Sequence, residues 1–363
     1  MPVTLEQKGT TRVLFAGGGT GGHVYMAVAI RQELERRNSC CYCLFIGTDE
    51  GLESQILPSL KFPLRTIRVG GLNRVGVLQR VWTLLQLPGS LIASLGVIRE
   101  FRPSVIVGLG GYSSGPAVAA ARANNCPILL IEPNVYPGLT NRLLARFADK
   151  IAVAFEETKR FFGSRAVVSG VPVRREFHEV QSWRRKDQVF RVLIFGGSQG
   201  SRPINQLLSK SLPHLPKELH ITHQTGANDF EWISKSYRIA GIQAQVFEYL
   251  ENMPGALENS DLVISRAGAS TVAELAAAGR PSILIPLPEA ADNHQIKNAR
   301  LLEKKGAAIL REQSDLNGAV LGGILTELGN DRQRLSKMAR AAKSLGTPDS
   351  VRHITDLIEK LAQ

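Results

Sequence analysis

The sequence predicts an α/β protein made of two doubly wound parallel sheets, each clothed by helices. Three observations carry that expectation. Short apolar runs rich in Val, Ile and Leu alternate with helix-length segments along most of the 363 residues, the pattern of strands buried on both faces. The alternation runs through one series, pauses, and starts again, and a chain of this length exceeds what one core usually holds. Finally, a glycine cluster follows a strand directly in each series, FAGGGTGGH in the first and FGGSQGS in the second, roughly 180 residues apart, about one domain length.

In order, TRVLFA, CYCLFIG, SVIVGLG, PILLIE and KIAVAF are the strands of the first series, with helical spacing over Val24 to Arg37 and Leu139 to Phe147. None shows the polar alternation of a sheet with one wet face. FRVLIFGG, HITHQTG, AQVFEYL, DLVISRAG and PSILIPL are the strands of the second. The seam lies near SGVPVRREF, Ser169 to Phe177, ahead of a charged and loosely patterned stretch from His178 to Gln188. The tail TPDSVRHITDLIEKLAQ reads as one amphipathic helix, with Asp349 or Ser350 as its cap.

Lys and Arg number 44 against 32 Asp and Glu, a net charge of +12. That balance favours an anionic partner: nucleic acid, an anionic membrane face or a phosphorylated substrate. Nucleic acid is the weakest of these, since aromatics are 6% of the chain and do not alternate with basic residues. No window is apolar enough to span a bilayer, and MPVTLEQKGTTR lacks the core of a signal peptide, so a cytoplasmic chain is expected. Cys40, Cys41, Cys43 and Cys126 show no metal-ligand spacing. Three crowd into one predicted strand, and all read as reduced thiols packed as small hydrophobes.

A strand, a loop without side chains and a helix together expose backbone N–H groups at the positive end of the helix, a natural seat for phosphate. Gly17, Gly19 and Gly22 fit the dinucleotide spacing G-x-G-x-x-G, which also wants an acid closing the second strand, and Asp49 or Glu50 could serve. The alternative is that the glycines merely permit a tight turn. Three features point away from a dehydrogenase. His23 stands at the helix entrance. A second glycine loop, GLGGYSSGP from Gly108 to Pro116, belongs to the same half. The other half adds SRAGASTVAELAAAG, Ser265 to Gly279, where Gly268 turns the chain into a helix carrying Glu274. A carboxylate there can accept hydrogen bonds from ribose hydroxyls, while Ser270, Thr271 and the first N–H groups address phosphate. One half for a nucleotide and one for a phosphorylated partner, facing across a cleft, is an arrangement for group transfer.

At these residues the chain resembles the MurG family. These GT-B fold glycosyltransferases move N-acetylglucosamine from UDP-GlcNAc to undecaprenyl-pyrophosphoryl-MurNAc-pentapeptide in peptidoglycan synthesis. The matching segments are GGGTGGHVYMAVAI, GGYSSGPAVAAA, EPNVYPGLTNRLLARFA, GVPVR, GGSQGSRPIN, SRAGASTVAELAAAGRPSILIPLP and DNHQIKNA, in family order from Gly17 to Ala299. The resemblance implies an acceptor- and membrane-side domain over 1–173, with the helix of 347–363 packing back on it, and a UDP-GlcNAc-binding domain over 174–346. By position, Thr20, Gly21 and Gly22 meet the donor and Asn134 the N-acetylglucosamine. Arg174 and Ser198 lie near the diphosphate, and the Leu250 main chain near the uracil. Ala269, Ser270, Thr271, Val272, Ala273 and Glu274 cup the nucleotide, and Gln295 reaches the sugar hydroxyls. Gly18, Gly19, Gly110, Gly111 and Tyr112 form the loops expected to hold the acceptor pyrophosphate. Two departures stand out: Ile131-Glu132-Pro133 replaces the common His-Glu-Gln, and Val171 replaces an asparagine.

The chemistry implied is inverting transfer, with His23 as base or acceptor-positioning residue; a plain hydrogen bond that orders the loop is the alternative for His23. No Asp-x-Asp lies at a predicted strand end, so neither a cofactor nor a protein-bound metal is expected, and helix N-termini, Arg174 and Ser198 take its electrostatic place. From Gly71 to Arg102, large apolar residues exceed what one face buries. Leu78, Val81, Trp82 and Leu85, with arginines nearby, are the expected docking patch for the anionic cytoplasmic face of the inner membrane. Other cell-wall synthesis proteins are possible partners. Rival readings are another GT-B lipid glycosyltransferase such as one acting on diacylglycerol, a nucleotide-sugar epimerase, an NAD-dependent dehydrogenase, and a membrane scaffold with a degenerate site.

Overall fold

The computed structural model describes residues 11–70, 77–184, 187–216, 218–288, 290 and 293–363, and of 77–84 the backbone alone. The chain divides into two compact units, Met1–Pro172 with Asp349–Gln363, and Val173–Pro348.

In the first unit the apolar runs become β1 (Arg12–Gly17), β2 (Tyr42–Gly47), β4 (Val105–Gly110), β5 (Ile128–Glu132) and β6 (Lys150–Val153). Two three-residue strands, β3 (Leu64–Thr66) and β7 (Ala166–Val168), close the edges. Between them lie α1 (Gly21–Arg37), α2 (Glu53–Ser59), α3 (Val77–Phe101), α4 (Ser114–Ala123) and α5 (Leu139–Leu144). All pairings are parallel, in the order β3-β2-β1-β4-β5-β6-β7. Every residue of β4 is buried, as expected of a central strand with helices on both faces.

The second unit repeats the plan. After α6 (Arg175–His178) come β8 (Phe190–Phe195), α7 (Arg202–Ser211), β9 (Leu219–Gln224), α8 (Phe230–Ala240) and β10 (Gln243–Phe247). Then follow α9 (Met253–Glu258), β11 (Leu262–Ser265), α10 (Ala269–Ala278), β12 (Ser282–Leu284), α11 (His294–Lys304), β13 (Ala308–Leu310), α12 (Gly318–Asn330) and α13 (Arg332–Ser344). The parallel order is β10-β9-β8-β11-β12-β13. In both sheets the order reverses beside the first strand, and ligands of such sheets bind at the strand C-termini at that reversal. The loops after β1 and β4, and those after β8 and β11, occupy those places.

The last helix, α14 (Ser350–Leu361), belongs to the first unit. Its Ile354 and Ile358 are fully buried in the layer formed by Val13 and Phe15 of β1 and Val24, Ala27 and Val28 of α1.

Several expectations need correction. The second strand begins only at Tyr42, so Cys40 and Cys41 both fall outside it; Cys40 is exposed, while Cys41, Cys43 and Cys126 are buried free thiols. Asp349 stands at the N-cap of α14, yet its side chain makes no capping hydrogen bond; it pairs with Arg352 instead. Ser350 donates its hydroxyl to the Val171 carbonyl at 2.9 Å, tying the helix to the end of the first unit's main segment. Of the expected docking patch, the side chains of Leu78, Val81 and Trp82 lie outside the described residues; Leu85 is exposed, as is Ile92 on the same helix. Among the described residues no helix is long and apolar enough to cross a membrane.

Candidate functional site

What the bare loop after β1 holds is, first of all, a carboxylate. Glu53, the first residue of α2, is 1% exposed. Its Oε1 accepts from the Thr48 backbone N–H at 2.9 Å and from the Thr48 hydroxyl at 3.0 Å, and its Oε2 accepts from the Gly19 N–H at 2.7 Å. A Cβ on Gly18, Gly47 or Gly51 would lie 2.2–2.6 Å from this side chain, which only glycine avoids. Asp49 and Glu50, expected to close the second strand, are both exposed; the acid that meets the glycine loop is Glu53, whose oxygens are turned inward onto Thr48 and Gly19. The Gly19 N–H is therefore engaged internally rather than offered to phosphate.

Thr20 is the N-cap of α1 in extended conformation, without a side-chain cap. Its hydroxyl lies 3.2 Å from His23 Nδ1, and the same nitrogen is 3.1 Å from the Gly18 carbonyl oxygen. A carbonyl only accepts, so Nδ1 carries the proton and Nε2 is the basic nitrogen of the neutral ring. The loop after β4 abuts the first. A Cβ on Gly111 would meet the Gly18 oxygen at 2.7 Å, and one on Gly17 would meet the Gly110 oxygen at 2.8 Å. The position of a Cβ on Gly110 is 3.7 Å from His23 Nε2 and 3.6 Å from the Asn141 amide nitrogen. Tyr112 lies against Gly19. Gly18, Gly19, Gly110, Gly111, Tyr112 and His23 thus form one cluster at the strand C-termini.

Asn134 is held by a residue that sequence reasoning passed over. Glu132, at the end of β5 and 1% exposed, accepts from the N–H and amide of Asn134, the N–H of Gly138 and the amide of Asn141, all at 2.9–3.0 Å. Burial raises its pKa, while these donors pull it back down. One carboxylate thereby shapes the loop that presents Asn134 and the start of α5.

In the second unit the loop after β8 carries Gly197 and Gly200 at positive φ. A Cβ on Gly200 would sit 1.8 Å from the Thr225 oxygen, so it packs directly on the loop after β9. Gln224, 1% exposed, donates to the Gly197 carbonyl at 2.7 Å and accepts from the Leu250 N–H at 3.1 Å. It links the Ser198 loop to Leu250, whose N–H is engaged, leaving its carbonyl for a ligand. Arg266 donates to the Ser201 hydroxyl, the Ile285 and Pro286 carbonyls and the Gln313 amide oxygen, and burial lowers its pKa to about 10. It joins the first and last loops of the site, another role without a sequence signal.

Gly268 is the N-cap of α10, so Ala269, Ser270 and Thr271 form the open first turn, followed by Val272, Ala273 and Glu274. Burial pushes the Glu274 carboxyl up to about 7, with Arg174 opposing. Arg174 also stacks over Phe177, its guanidinium carbon 5.0 Å from the ring centre. Gln295 turns its amide oxygen to the Leu287 and Ala267 N–H groups, which leaves its NH2 as the group able to reach a sugar. Arg174, Ser198, Leu250, the α10 turn and Gln295 all belong to this unit. Among the described residues no group of three or more His, Cys, Asp or Glu could hold a metal ion.

Comparison with known proteins gives the family. Residues 13–153 match the glycosyltransferase family 28 N-terminal domain and residues 191–354 the glycosyltransferase family 28 C-terminal domain. A UDP-N-acetylglucosamine--N-acetylmuramyl-(pentapeptide) pyrophosphoryl-undecaprenol N-acetylglucosamine transferase of Anaeromyxobacter dehalogenans is 42% identical over 97% of this chain and 93% of its own. Its namesake from Syntrophus aciditrophicus is 42% identical over 96% and 98%. The crystal structure of Acinetobacter baumannii MurG superposes with a TM-score of 0.76 at 32% identity, covering 96% of this chain and 99% of that one. The protein is a GT-B glycosyltransferase and belongs to family 28, within the MurG family.

Proposed function

We propose that the chain transfers N-acetylglucosamine from UDP-GlcNAc to the muramyl 4-hydroxyl of pyrophosphoryl-undecaprenol-linked MurNAc-pentapeptide, with inversion at the anomeric carbon. The hydroxyl oxygen bonds to that carbon as the bond to the β-phosphate oxygen breaks. UDP leaves with the electron pair, and His23 Nε2 takes the hydroxyl proton. The observation that carries the reading is the hydrogen bond from His23 Nδ1 to the Gly18 carbonyl, which sets the basic nitrogen on the Gly110 side of the loops.

The first unit takes the acceptor at the loop of Gly110–Tyr112, which Gly18 and Gly19 support from beneath, with Thr20, Gly21, Gly22 and Asn134 addressing the donor sugar. The second unit takes UDP: Glu274 accepts from the ribose, the first turn of α10 with Arg174 and Ser198 stabilises the departing diphosphate, Leu250 meets the uracil and Gln295 the sugar hydroxyls. Docking on the anionic cytoplasmic membrane face through the Leu78–Leu85 segment brings the enzyme to its lipid acceptor. The exposure of Leu85 and Ile92 on α3 supports that role.

UDP release from UDP-GlcNAc, with and without a short-chain muramyl-pyrophosphoryl lipid, is the test. Acceptor-dependent release is expected in the wild type. His23→Ala should lower it by about 10²–10⁴-fold, the range a positioned base contributes, with UDP binding kept. No release with the acceptor sinks the function, and full activity in His23→Ala sinks the assignment of the base.

A further inference from the structure

The Gly18 carbonyl and the Gly19 N–H belong to one peptide group. Glu53 Oε2 accepts from its N–H at 2.7 Å, and His23 Nδ1 donates to its carbonyl at 3.1 Å. In a trans peptide these groups point in opposite directions, so the carboxylate and the imidazole are held at the two ends of a single polarisable unit. We propose that Glu53 is a positioning residue that fixes the tautomer and basicity of His23 through the Gly18–Gly19 peptide. The inference rests on the reading of His23 as the base and deepens it.

Three features argue that the arrangement is built rather than incidental. The Glu53 side chain is almost inaccessible, and both of its oxygens are used as acceptors. Thr48 supplies two of the three donors and anchors Oε1 at the end of β2, which leaves Oε2 aimed at Gly19. Gly18, Gly47 and Gly51 all give up a side chain to admit the carboxylate. Gly18 and Gly19 are also at positive φ, 150° and 81°, so the peptide between them keeps an orientation that other residues resist. A carboxylate on the N–H end draws electron density toward the carbonyl oxygen, because hydrogen bonds in a chain polarise one another. A stronger acceptor at Gly18 holds the proton on Nδ1 and keeps the lone pair on Nε2. Carboxylates commonly orient a catalytic histidine by direct contact; here one peptide stands between the two.

The test joins nitrogen-15 NMR of the histidines in the full chain to kinetics of Glu53→Gln, whose NH2 must face one of the three donors. In the wild type, His23 should show Nδ1 protonated and Nε2 unprotonated. In Glu53→Gln the two tautomers should mix, kcat should fall about ten- to a hundredfold, within what a base contributes, and KM for UDP-GlcNAc should stay. A wild-type His23 protonated on Nε2 overturns the proposal, and that measurement stands even if Glu53→Gln does not fold. A folded Glu53→Gln with unchanged kcat and tautomer overturns it equally. If His23→Ala keeps acceptor-dependent turnover, the base assignment fails instead, while the tautomer result still reports on Glu53.

Discussion

The proposed contact of Glu274 with the ribose predicts a pH dependence of nucleotide binding. Burial raises its carboxyl from the usual 4.5 to about 7, with Arg174 acting against the shift. A folded pKa above the unfolded one means that the protonated form is favoured by folding. That contribution is complete below about 4.5 and is lost as pH rises through 7. The ligand reverses the balance, because ribose hydroxyls donate best to an ionised carboxylate. UDP affinity measured by calorimetry should therefore fall below about pH 7, by at most about tenfold per unit, and Glu274→Gln should bind UDP weakly with little dependence on pH. Undiminished affinity for wild type a unit below 7 would separate Glu274 from the ribose. At this scale the site is half legible. His23 and Glu274 stand inside glycine-marked motifs and Gln295 in the polar run DNHQIKNA, whereas Glu53 and Gln224 are single polar residues with backbone partners far along the chain, such as Gly19, 34 positions before Glu53, and Leu250, 26 positions after Gln224. No spacing announces such a contact, because the fold alone brings the partners together.

Among elements, α7, β9 and α8 are joined by a buried polar chain. Tyr237 donates its hydroxyl to His223 Nδ1 at 2.9 Å, His223 Nε2 donates to the Asn205 amide oxygen at 3.0 Å, and Asn205 donates to Asp229 and to the Thr225 carbonyl. Burial pushes His223 down to about 3, so the ring stays neutral in the folded unit while the unfolded chain takes up a proton near 6.5. Stability tied to this group is present above 6.5 and lost as pH falls toward 3, at up to about 1.4 kcal/mol per unit. In His223→Gln, whose amide can both accept and donate, the midpoint of thermal unfolding of the second unit should change less steeply with pH over that window; an equal slope would place the acid sensitivity elsewhere. Central strands were expected because burial on both faces writes a contiguous apolar run, as in VIVGLG of β4. The three-residue edge strands β3, β7 and β13 leave no such mark. Arg65 and Thr66 of β3 and Val168 of β7 are exposed, and these strands exist because a neighbour offers its ladder.

At the scale of the whole molecule, the chain completes its first unit only with its last fifteen residues. Two kinds of contact bring α14 home. Arg37 of α1 pairs with Asp356 and Glu359 of α14 and with Glu33 on its own helix, while Ile354 and Ile358 enter the core beside β1 and α1. Magnitudes decide between them. Ion pairs at a surface contribute about 0.2–1 kcal/mol each, whereas each buried isoleucine contributes about 1.5–3 kcal/mol, so the two residues together amount to a large share of a domain's typical 5–15 kcal/mol. Arg36 and Arg37 draw the Glu33 carboxyl down to about 2. Its stabilising contribution is thus present above 4.5 and lost as pH falls toward 2, a modest sensitivity beside the apolar term. Removal of residues 349–363 should lower the unfolding midpoint of the first unit severely and leave UDP binding by the second intact. Arg37→Ala should cost about 0.4–2 kcal/mol, the sum of its two pairs to the returning helix. Denaturant melts followed by calorimetry separate the two units. Should Arg37→Ala prove as damaging as the truncation, the charged tie rather than the isoleucine pair holds the returning helix.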